Sequence, residues 1–504
     1  NGIPFEPEYG GQGLPWLVST AVSELWNSSN MAFALCPLLT QGSVELLSAH
    51  GSEELKAIYL ENMVAGTWNG TMNLTEPQAG TDLARVRTKA VRDGDQYRIS
   101  GQKIFITYGE HDWTENIIHM VLARLPDAPP GVKGISLFLV PKFLVNEDGS
   151  LGDRNDLRCV SIEHKLGINA SPTAVMSYGD NDGAIGYLVG EENEGIKCMF
   201  TMMNNARLAV GLEGVAIAER AYQQARDYAL ERVQSRDAAS DSAEPVTIIH
   251  HPDVKRMLLS MKSQTEATRA LAYTAASYLD TAKRHPDAEK RASAQGMVDL
   301  LIPVVKAWST DIGIEATNKG IQVHGGMGYI EETGAAQHYR DARIASIYEG
   351  TNGIQAIDLI GRKVARENGK TVGLLIEEIR AFKPDTSNDD LAVIARRLET
   401  ATEALEKATV WIIETFGSDA NAALAGAVSY LDLLGATVGG WMMGRSAEIA
   451  LNKLASGEGD PEFYKNKVIS ARFFADQVLV EAPTHAEKIV SGSAAISASD
   501  FTAA

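Results

Sequence analysis

A single carboxylate in an apolar stretch is the residue of this sequence best suited to remove a proton from carbon. Glu349 follows Tyr348 and stands near Gly350 and Gly353, in an otherwise apolar neighbourhood that begins at Ile344. If this segment closes over an apolar pocket, the loss of hydration raises the pKa of the carboxyl and makes it a competent base toward a weak carbon acid. A helix N-cap or a surface turn uses a glutamate in the same way, so the segment alone leaves both interpretations open.

Hydroxyl groups and small residues are concentrated between Met72 and Asp82. Thr75, Gly80 and Thr81 offer short hydrogen-bond donors and close backbone approach, which a flat ring edged with acceptors, such as a flavin, requires. A Pro/Gly turn between two strands is the alternative explanation of the same residues.

An aromatic ring and a hydroxyl fall on one face of the predicted strand Gly101–Thr107, at Phe105 and Thr107. Together they suit one face of a flat ring. Ordinary core packing is the alternative.

Two further segments have groups suited to a ligand that carries phosphates. The glycine-rich run Gln322–Tyr329 lets a backbone approach phosphate or ribose, although a helix C-cap and turn would have the same residues. It does not match the G-x-G-x-x-G fingerprint, and no strand clearly precedes it, so a Rossmann site is disfavoured. Asn204 and Arg207, on a predicted helix, could hold a pantetheine or phosphate arm, and a surface arginine is the alternative.

The sequence around these residues changes from helical to β and back to helical. Leu17–Phe33 and Val44–Leu60 lack strand alternation and contain helix formers, so we predict helices separated by short breaks. After Thr67, short β-branched and aromatic runs punctuated by Gly, Asp and Pro predict a β domain. From about Gly195 helical periodicity returns, for example in Gly211–Arg232, which predicts a helical bundle.

A further helical region follows Gly369. Its apolar residues alternate in threes and fours, as in a helix packed in a bundle, at Leu391, Ile394, Leu398, Ala401, Leu405, Ala408 and Ile412. This region is therefore predicted to be an added all-α module. The polar segment Ala238–Val246 interrupts the preceding bundle as a surface loop.

Composition excludes several classes of function. The 504 residues are 45% hydrophobic and 22% charged, which is typical of a soluble protein of about three domains. The net charge of −19 opposes binding to nucleic acid, and neither a long apolar run nor a signal-peptide pattern is present, so we expect no nucleic-acid partner and no membrane span. Three cysteines give no disulfide framework and no metal site, which favours a cytoplasmic location. The first residue, Asn1, indicates that natural sequence precedes it.

Taken together and in this order, these motifs resemble the acyl-CoA dehydrogenase family across about residues 1–368. The resemblance implies an α+β fold with FAD extended between a barrel and a bundle. The implied domains are N-terminal helices (1–68), a middle antiparallel β-barrel (69–190), a helical bundle with the catalytic base (191–368) and an additional C-terminal all-α domain (369–504). Family patterns begin with further helices before a segment similar to Glu8–Gly13, which implies a truncated N-terminal domain.

The resemblance also assigns roles to individual residues, with Glu349 matching the catalytic base. It implies that the flavin is lined by Met72, Leu74, Thr75, Gly80, Thr81, Phe105 and Thr107. Arg232 and Gln234 match positions that reach the FAD of a neighbouring subunit, which implies a homodimer. Gln322, Gly325, Gly326 and Thr351 match contacts on the adenine side. Thr81, Asn204, Arg207 and Gly350 match positions around the acyl-CoA.

Two departures from the family pattern concern the adenine side. Ser235 and Arg236 replace the usual Phe-Gly after the arginine and are followed by an inserted loop, and Gly353 replaces the usual Gln. The adenine contacts are therefore the part of the carry-over with the least support.

The function implied is the FAD-dependent α,β-dehydrogenation of an acyl-CoA thioester to the trans-2-enoyl-CoA, with an electron-transferring flavoprotein as acceptor. The extra helices and the run Met202–Arg207 are similar to larger members of the family, including a bacterial broad-specificity branch that contains the 3-methylmercaptopropionyl-CoA dehydrogenases of dimethylsulfoniopropionate degradation. We therefore expect 3-methylmercaptopropionyl-CoA as the substrate. The alternatives are a medium- or long-chain fatty acyl-CoA dehydrogenase, an acyl-CoA oxidase and, more distantly, a flavin-containing DNA-associated protein, which the charge of −19 opposes.

Overall fold

The chain folds, in the computed structural model, into two units, Asn1–Ala209 and Val210–Ala504. The structure describes residues 1–146, 148–239 and 241–502. Helix α3 (Gly195–Glu231) runs across the boundary between the units.

The first unit begins with two helices, α1 (Trp16–His50) and α2 (Glu53–Ala65). The predicted short breaks occur at other positions. Helix α1 continues through Pro37 and is interrupted at Asn30, inside the predicted Leu17–Phe33, and Gly51 and Ser52 separate α1 from α2 inside the predicted Val44–Leu60. The Asn30 side chain accepts a hydrogen bond from the Phe33 N–H at 3.1 Å and so caps the second half of the helix. By length and composition α1 is the one helix among the described residues that could cross a membrane, but 67% of its most apolar window is buried inside the protein, as in a core helix.

The middle part of the first unit is a β-barrel with extra strands at its edges. The strands are β1 (Trp68–Asn73), β2 (Lys89–Asp93), β3 (Gln96–Thr107), β4 (Asn116–Arg124), β5 (Ile135–Pro141), β6 (Phe143–Val145), β7 (Leu151–Arg154), β8 (Leu157–Ile162), β9 (Thr173–Tyr178) and β10 (Ala184–Leu188). Pairings β4–β5, β5–β10, β10–β3, β3–β2 and β2–β4 close a ring, in which β2 meets β4 at the single residue pair Lys89 and Arg124. Most pairs are antiparallel as predicted, whereas β1 and β2 pair with β4 in parallel.

Side chains that alternate along the strands fill the barrel. Ile99 and Ile106 of β3, Val121 of β4 and Phe138 of β5 are buried in one cluster. This core fixes the register of β3, the strand that carries Phe105.

The second unit is α-helical apart from a hairpin of two short strands. Its elements after α3 are β11 (Val233–Arg236), β12 (Pro245–Thr247), α4 (Pro252–Arg284), α5 (Ala288–His324), α6 (Ala335–Ala342), α7 (Asn352–Asp358), α8 (Lys370–Ala381), α9 (Asp389–Phe416), α10 (Ala420–Ala425), α11 (Ala427–Ser456), α12 (Pro461–Gln477), α13 (Ala482–Ser491) and α14 (Ser493–Ala498). The predicted polar loop, Ala238–Val246, covers the connection between β11 and β12 and the first two residues of β12, and residue 240 lies outside the described residues. All seven predicted apolar positions of α9 are buried, which confirms its packing in a bundle.

Helices α3 and α5 touch through their main chains. Gly313 lies against Gly214, and a Cβ placed on Gly214 would come within 2.3 Å of the Ser309 carbonyl oxygen. Glycine is therefore required at Gly214, one residue after the buried Glu213.

Candidate active site

The loop after β1 is fastened to β3 in the first unit. The Ile104 N–H donates to the Thr75 carbonyl at 2.9 Å, and Glu76 and Ala79 exchange backbone hydrogen bonds in a tight turn. These bonds place the backbone of Thr75 beside Ile104, the neighbour of Phe105. The structure therefore brings together the segments Met72–Asp82 and Gly101–Thr107, which the sequence analysis considered separately as parts of a flavin site.

Beneath this loop lies a buried ion pair that sequence analysis did not identify. Lys103 is 0% exposed and donates to Glu76 Oε1 at 2.8 Å and to the Leu74 carbonyl at 3.0 Å. Burial alone would raise the pKa of Glu76, but Lys103 and hydrogen bonds from Thr88 and the Arg87 N–H hold it below its ordinary value. Burial lowers the pKa of Lys103, and Glu76 opposes that change. The pair anchors the loop through both its carboxylate and its backbone.

Phe105 has an unusual backbone conformation for an aromatic residue. Its φ is +60°, and it sits where the β3–β9 register shifts between Lys103 and Ile106. The bulge turns its ring outward, so that Phe105 is 59% exposed while Ile106 is buried. A strained, exposed aromatic residue on an otherwise regular strand is typical of a ligand-binding position.

The other residues expected to line a flavin are partly or fully accessible. Met72, Leu74, Thr75 and Thr107 are half-buried, and Gly80 and Thr81 are exposed. A Cβ on Gly80 would have no atom within 4 Å, so the backbone there is open to a ligand. An exposed aromatic wall, threonine hydroxyls and open glycine backbone fit a flavin ring.

Asn204 and Arg207 lie on the part of α3 that belongs to the first unit. Arg207 is 5% exposed, and its guanidinium donates to Asn204 Oδ1 at 3.5 Å. The alternative interpretation of Arg207 as a surface arginine is therefore wrong. The neighbouring Asn205 donates to Glu45 Oε2 at 2.8 Å, which fixes this stretch of α3 against α1.

In the second unit, Glu349 lies on a short loop between a 3₁₀ turn and α7. Its φ is +56° and that of Gly350 is +82°, two consecutive residues in the left-handed region. The side chain of Thr351 accepts from the Ile354 N–H at 3.3 Å, so the N-cap of α7 is Thr351 and not Glu349. The alternative interpretation of Glu349 as an N-cap is therefore wrong. The half-buried Glu349 therefore has a strained backbone conformation, and such conformations are common at active sites.

A buried side chain, Gln355, and a half-buried one, Asn352, hold the loop after Glu349. Gln355 is buried and its amide donates to the carbonyls of Glu349 at 3.2 Å and Gly350 at 3.1 Å. Asn352 accepts from the Lys306 ammonium at 2.8 Å and donates to Asp311 Oδ1 at 2.8 Å. The main chain on the C-terminal side of the carboxylate is thus fixed by side-chain hydrogen bonds.

A buried carboxyl, that of Glu213, contacts Tyr348, the residue that precedes Glu349. Glu213 is 0% exposed and accepts a hydrogen bond from the Tyr348 hydroxyl. Its other oxygen, Oε1, is buried with no hydrogen-bond partner among the described residues. Burial raises the pKa of Glu213 to about 8, with Glu349 adding to the shift and Tyr348 and Lys306 opposing it.

The residues predicted on the adenine side are accessible. Gly325 ends α5 with φ +60° and its N–H donates to the Gln322 carbonyl, so it is a helix C-cap as the alternative interpretation had it. A Cβ on Gly325 or Gly326 would still have no atom within 4 Å, which leaves their backbone open to a ligand. Arg232 and Gln234 are exposed at the start of the β11–β12 hairpin.

Sequence reasoning missed the residues that support the site. Lys103 could have been noticed as a lysine at an inward position of a central strand, and Glu213 as a carboxylate between two helix glycines. Their partners, Glu76 and Tyr348, are distant in sequence, so no local pattern joins each pair. No cluster of His, Cys, Asp and Glu that could hold a metal ion occurs in the described part of the chain.

Comparison with known protein families finds four profiles that match successive parts of the chain. The profile of the acyl-CoA dehydrogenase N-terminal domain matches residues 1–67, the middle domain residues 71–180 and the C-terminal domain residues 193–365. A fourth profile, described as acetyl-CoA dehydrogenase C-terminal like, matches residues 375–500.

Individual relatives cover most of the chain. The chain is 53% identical to 3-methylmercaptopropionyl-CoA dehydrogenase of Ruegeria pomeroyi, over 96% of this chain and 82% of that protein. It is 37% identical to a butyryl-CoA dehydrogenase of Syntrophomonas wolfei, over 92% of this chain and 78% of the relative. The crystal structure of an acyl-CoA dehydrogenase from Bacillus anthracis, complexed with FAD, matches 98% of this chain and 81% of its own with a TM-score of 0.78 at 22% identity, which shows the fold. The chain therefore belongs to the acyl-CoA dehydrogenase family and is an FAD-dependent enzyme.

Proposed function

We propose that Glu349 removes the α-proton of an acyl-CoA thioester in this enzyme. The observation that carries the proposal is the loop itself, where a half-buried carboxylate at φ +56° is held by buried side chains on both sides. A base for a weak carbon acid needs a fixed position and partial removal from water, and this loop provides both. The proposal agrees with the match of Glu349 to the family's base.

The other residues of the chain orient the reactants. FAD, when bound, accepts the hydride that leaves Cβ. Phe105 and Thr107 would hold the ring from one strand, and Thr75, Gly80 and Thr81 from the loop after β1. In the second unit, the exposed backbone of Gly325 and Gly326 suits the adenine-side role that the family match implies. Positioning of this kind supplies much of the rate when proton and hydride must leave adjacent carbons from opposite faces.

The substrate we propose is 3-methylmercaptopropionyl-CoA. The support is the 53% identity, over nearly the whole chain, to the Ruegeria enzyme of that name. Butyryl-CoA is the competing substrate, because the Syntrophomonas relative at 37% identity is named for it. We expect the higher kcat/KM with the thioether substrate, and a clear preference for butyryl-CoA or for long chains would assign the enzyme to fatty acid metabolism instead.

We also propose a homodimer that passes electrons to an electron-transferring flavoprotein. The exposed Arg232 and Gln234 are available to a second subunit, as the family match requires. Light scattering that shows an active, FAD-loaded monomer would contradict the dimer. Steady release of hydrogen peroxide at the rate of dye-coupled turnover would place the enzyme among the acyl-CoA oxidases. The three cysteines, all free, agree with a reducing compartment such as the cytoplasm.

The decisive experiment is Glu349→Gln, which keeps the shape of the side chain and removes the base. Under anaerobic stopped-flow mixing with acyl-CoA, the wild type should bleach its flavin absorbance and the variant should be slower by at least about 10²-fold. FAD content and acyl-CoA affinity should persist, because neither depends on that carboxylate. Glu377→Gln, an exposed change of the same kind on α8, is the matched control. Near wild-type bleaching in Glu349→Gln would place the base elsewhere, with Glu213, Glu331 and Glu332 the next residues to test.

A further inference from the structure

We infer that Glu213 is a positioning residue for the base, acting in its neutral form through Tyr348 to fix the backbone at Glu349. The inference rests on the proposed role of Glu349 and adds a second carboxyl that the reaction requires but that does not itself take the proton. Both residues and the loop they hold belong to the second unit.

The hydrogen bond between Tyr348 and Glu213 fixes the loop on the N-terminal side of Glu349. Tyr348 immediately precedes Glu349 in the chain, and its hydroxyl donates to Glu213 Oε2. The Tyr348 N–H donates to the Ile344 carbonyl at 3.2 Å, so both its backbone and its side chain are fixed. A shift of the Tyr348 ring would therefore move the φ of the next residue, which is already in the left-handed region.

The surroundings of Glu213 favour the neutral carboxyl. Its side chain is fully buried on α3, and Oε1 has no hydrogen-bond partner among the described residues, so a full charge would be left partly uncompensated. The ionisable groups that act on it are Glu349 and Tyr348, and the ammonium of Lys306. Lys306 also donates to Asn352 at 2.8 Å, so its charge is shared with the other side of the loop.

A neutral Glu213 has a consequence for the base. If Glu213 were charged, it would repel the carboxylate of Glu349 and oppose the position of its loop. Burial raises the pKa of Glu213 to about 8, so its neutral form prevails at neutral pH and the repulsion grows as pH rises through that value. A neutral Glu213 thus adds no like charge beside the proposed base.

The test compares Glu213→Gln with Glu213→Ala and Tyr348→Phe in the FAD-loaded enzyme. Glutamine preserves shape and the acceptor for Tyr348 and never ionises, whereas the other two variants remove the hydrogen bond. The rate constant of anaerobic flavin bleaching with 3-methylmercaptopropionyl-CoA or butyryl-CoA is measured from about pH 6 to about pH 9.5, together with the concentration dependence that gives acyl-CoA affinity. Glu219→Gln, on the same helix and paired with Arg269 at 2.8 Å, is the matched control.

We expect Glu213→Ala and Tyr348→Phe to slow bleaching by about 10- to 100-fold with little change in acyl-CoA affinity, as small displacements of a base do. Glu213→Gln should recover most of the loss and should lack the decline that we expect of the wild type above about pH 8, where Glu213 ionises. Glu219→Gln should follow the wild type. If Glu213→Ala does not fold, the pH profile of Glu213→Gln still decides.

Two results would overturn the inference. Wild-type rates in Tyr348→Phe and Glu213→Ala would show that the loop is held without this pair. Loss of bleaching in Glu213→Gln as complete as in Glu349→Gln, with FAD and acyl-CoA still bound, would assign proton removal to Glu213 itself. In either case bleaching by the wild type still tests the proposed reaction independently.

Discussion

Replacing Lys103 by methionine tests whether the buried ion pair fixes the loop that carries Thr75. Lys103 and Glu76 are 0% and 3% exposed, and 2.8 Å separates their charged atoms. Methionine fills much of the same space but leaves the Glu76 carboxylate buried without its cation. Breaking one side of a buried pair costs about 3–5 kcal/mol, so we expect a loss of this size in the free energy of unfolding near neutral pH.

The loss should depend on pH with a defined sign. In the wild type the pKa of Glu76 is about 2, and in the variant its burial persists while the cation is absent, so its folded-state pKa should rise. The stability difference between the two proteins changes with pH over the interval between these two folded-state pKa values. The deficit of K103M relative to the wild type should therefore grow as pH rises from about 2 and be complete at neutral pH.

Urea-induced unfolding followed by tryptophan fluorescence measures the effect, since Trp68 is buried in β1 of the same unit. The wild type, K103M, E76Q and the double variant form a cycle, and we expect the double variant to be more stable than additivity predicts by about 1–3 kcal/mol. K103M should also retain less FAD on purification. A K103M protein as stable as the wild type at neutral pH and fully loaded with FAD would refute the reasoning, as would an additive cycle.

Three further predictions concern the second unit. Glu213→Gln should gain stability relative to the wild type as pH rises from about 5 to 8, because the folded-state pKa of about 8 makes the buried carboxyl cost up to a few kcal/mol over that interval, and parallel stability curves would contradict this. Gly350→Ala, at φ +82°, should cost about 1–2 kcal/mol and slow anaerobic flavin bleaching, whereas an unchanged rate would show that the loop tolerates a Cβ there. Gly214→Ala should lower the midpoint of thermal unfolding by an amount that corresponds to about 1–3 kcal/mol or more, because its Cβ would meet the Ser309 carbonyl oxygen at 2.3 Å, while Gly296→Ala, whose nearest atoms are 3.5 Å away, should not.

Sequence periodicity was enough to predict the order of helical and β segments and the buried seam of α9, because both follow from local alternation. It misplaced the interruption of α1, because the kink at Asn30, whose side chain caps the following segment, leaves no mark in the pattern of apolar residues. The outward turn of Phe105 depends on a register shift between β3 and β9, strands about seventy residues apart, and no local pattern encodes it.

The sequence could predict those residues of the candidate site that belong to a short local motif. Glu349 and the threonines after β1 stand in short runs whose residue types suggest chemistry. Glu213 does not, because a glutamate on an amphipathic helix reads as solvent-exposed unless its partner is known, and Tyr348 is 135 residues away. Buried polar pairs of this kind are determined by tertiary packing alone.

The main-chain contact between Gly214 and Gly313 has a consequence for how this enzyme can be altered. Where two helices meet through backbone atoms, no side chain at the crossing can be enlarged, trimmed or rotated to change their spacing. Residues elsewhere on α3 and α5 can then be exchanged to reshape neighbouring surfaces while the spacing at this crossing persists. Libraries that seek a new acyl preference should therefore leave these two glycines intact and vary the positions around them.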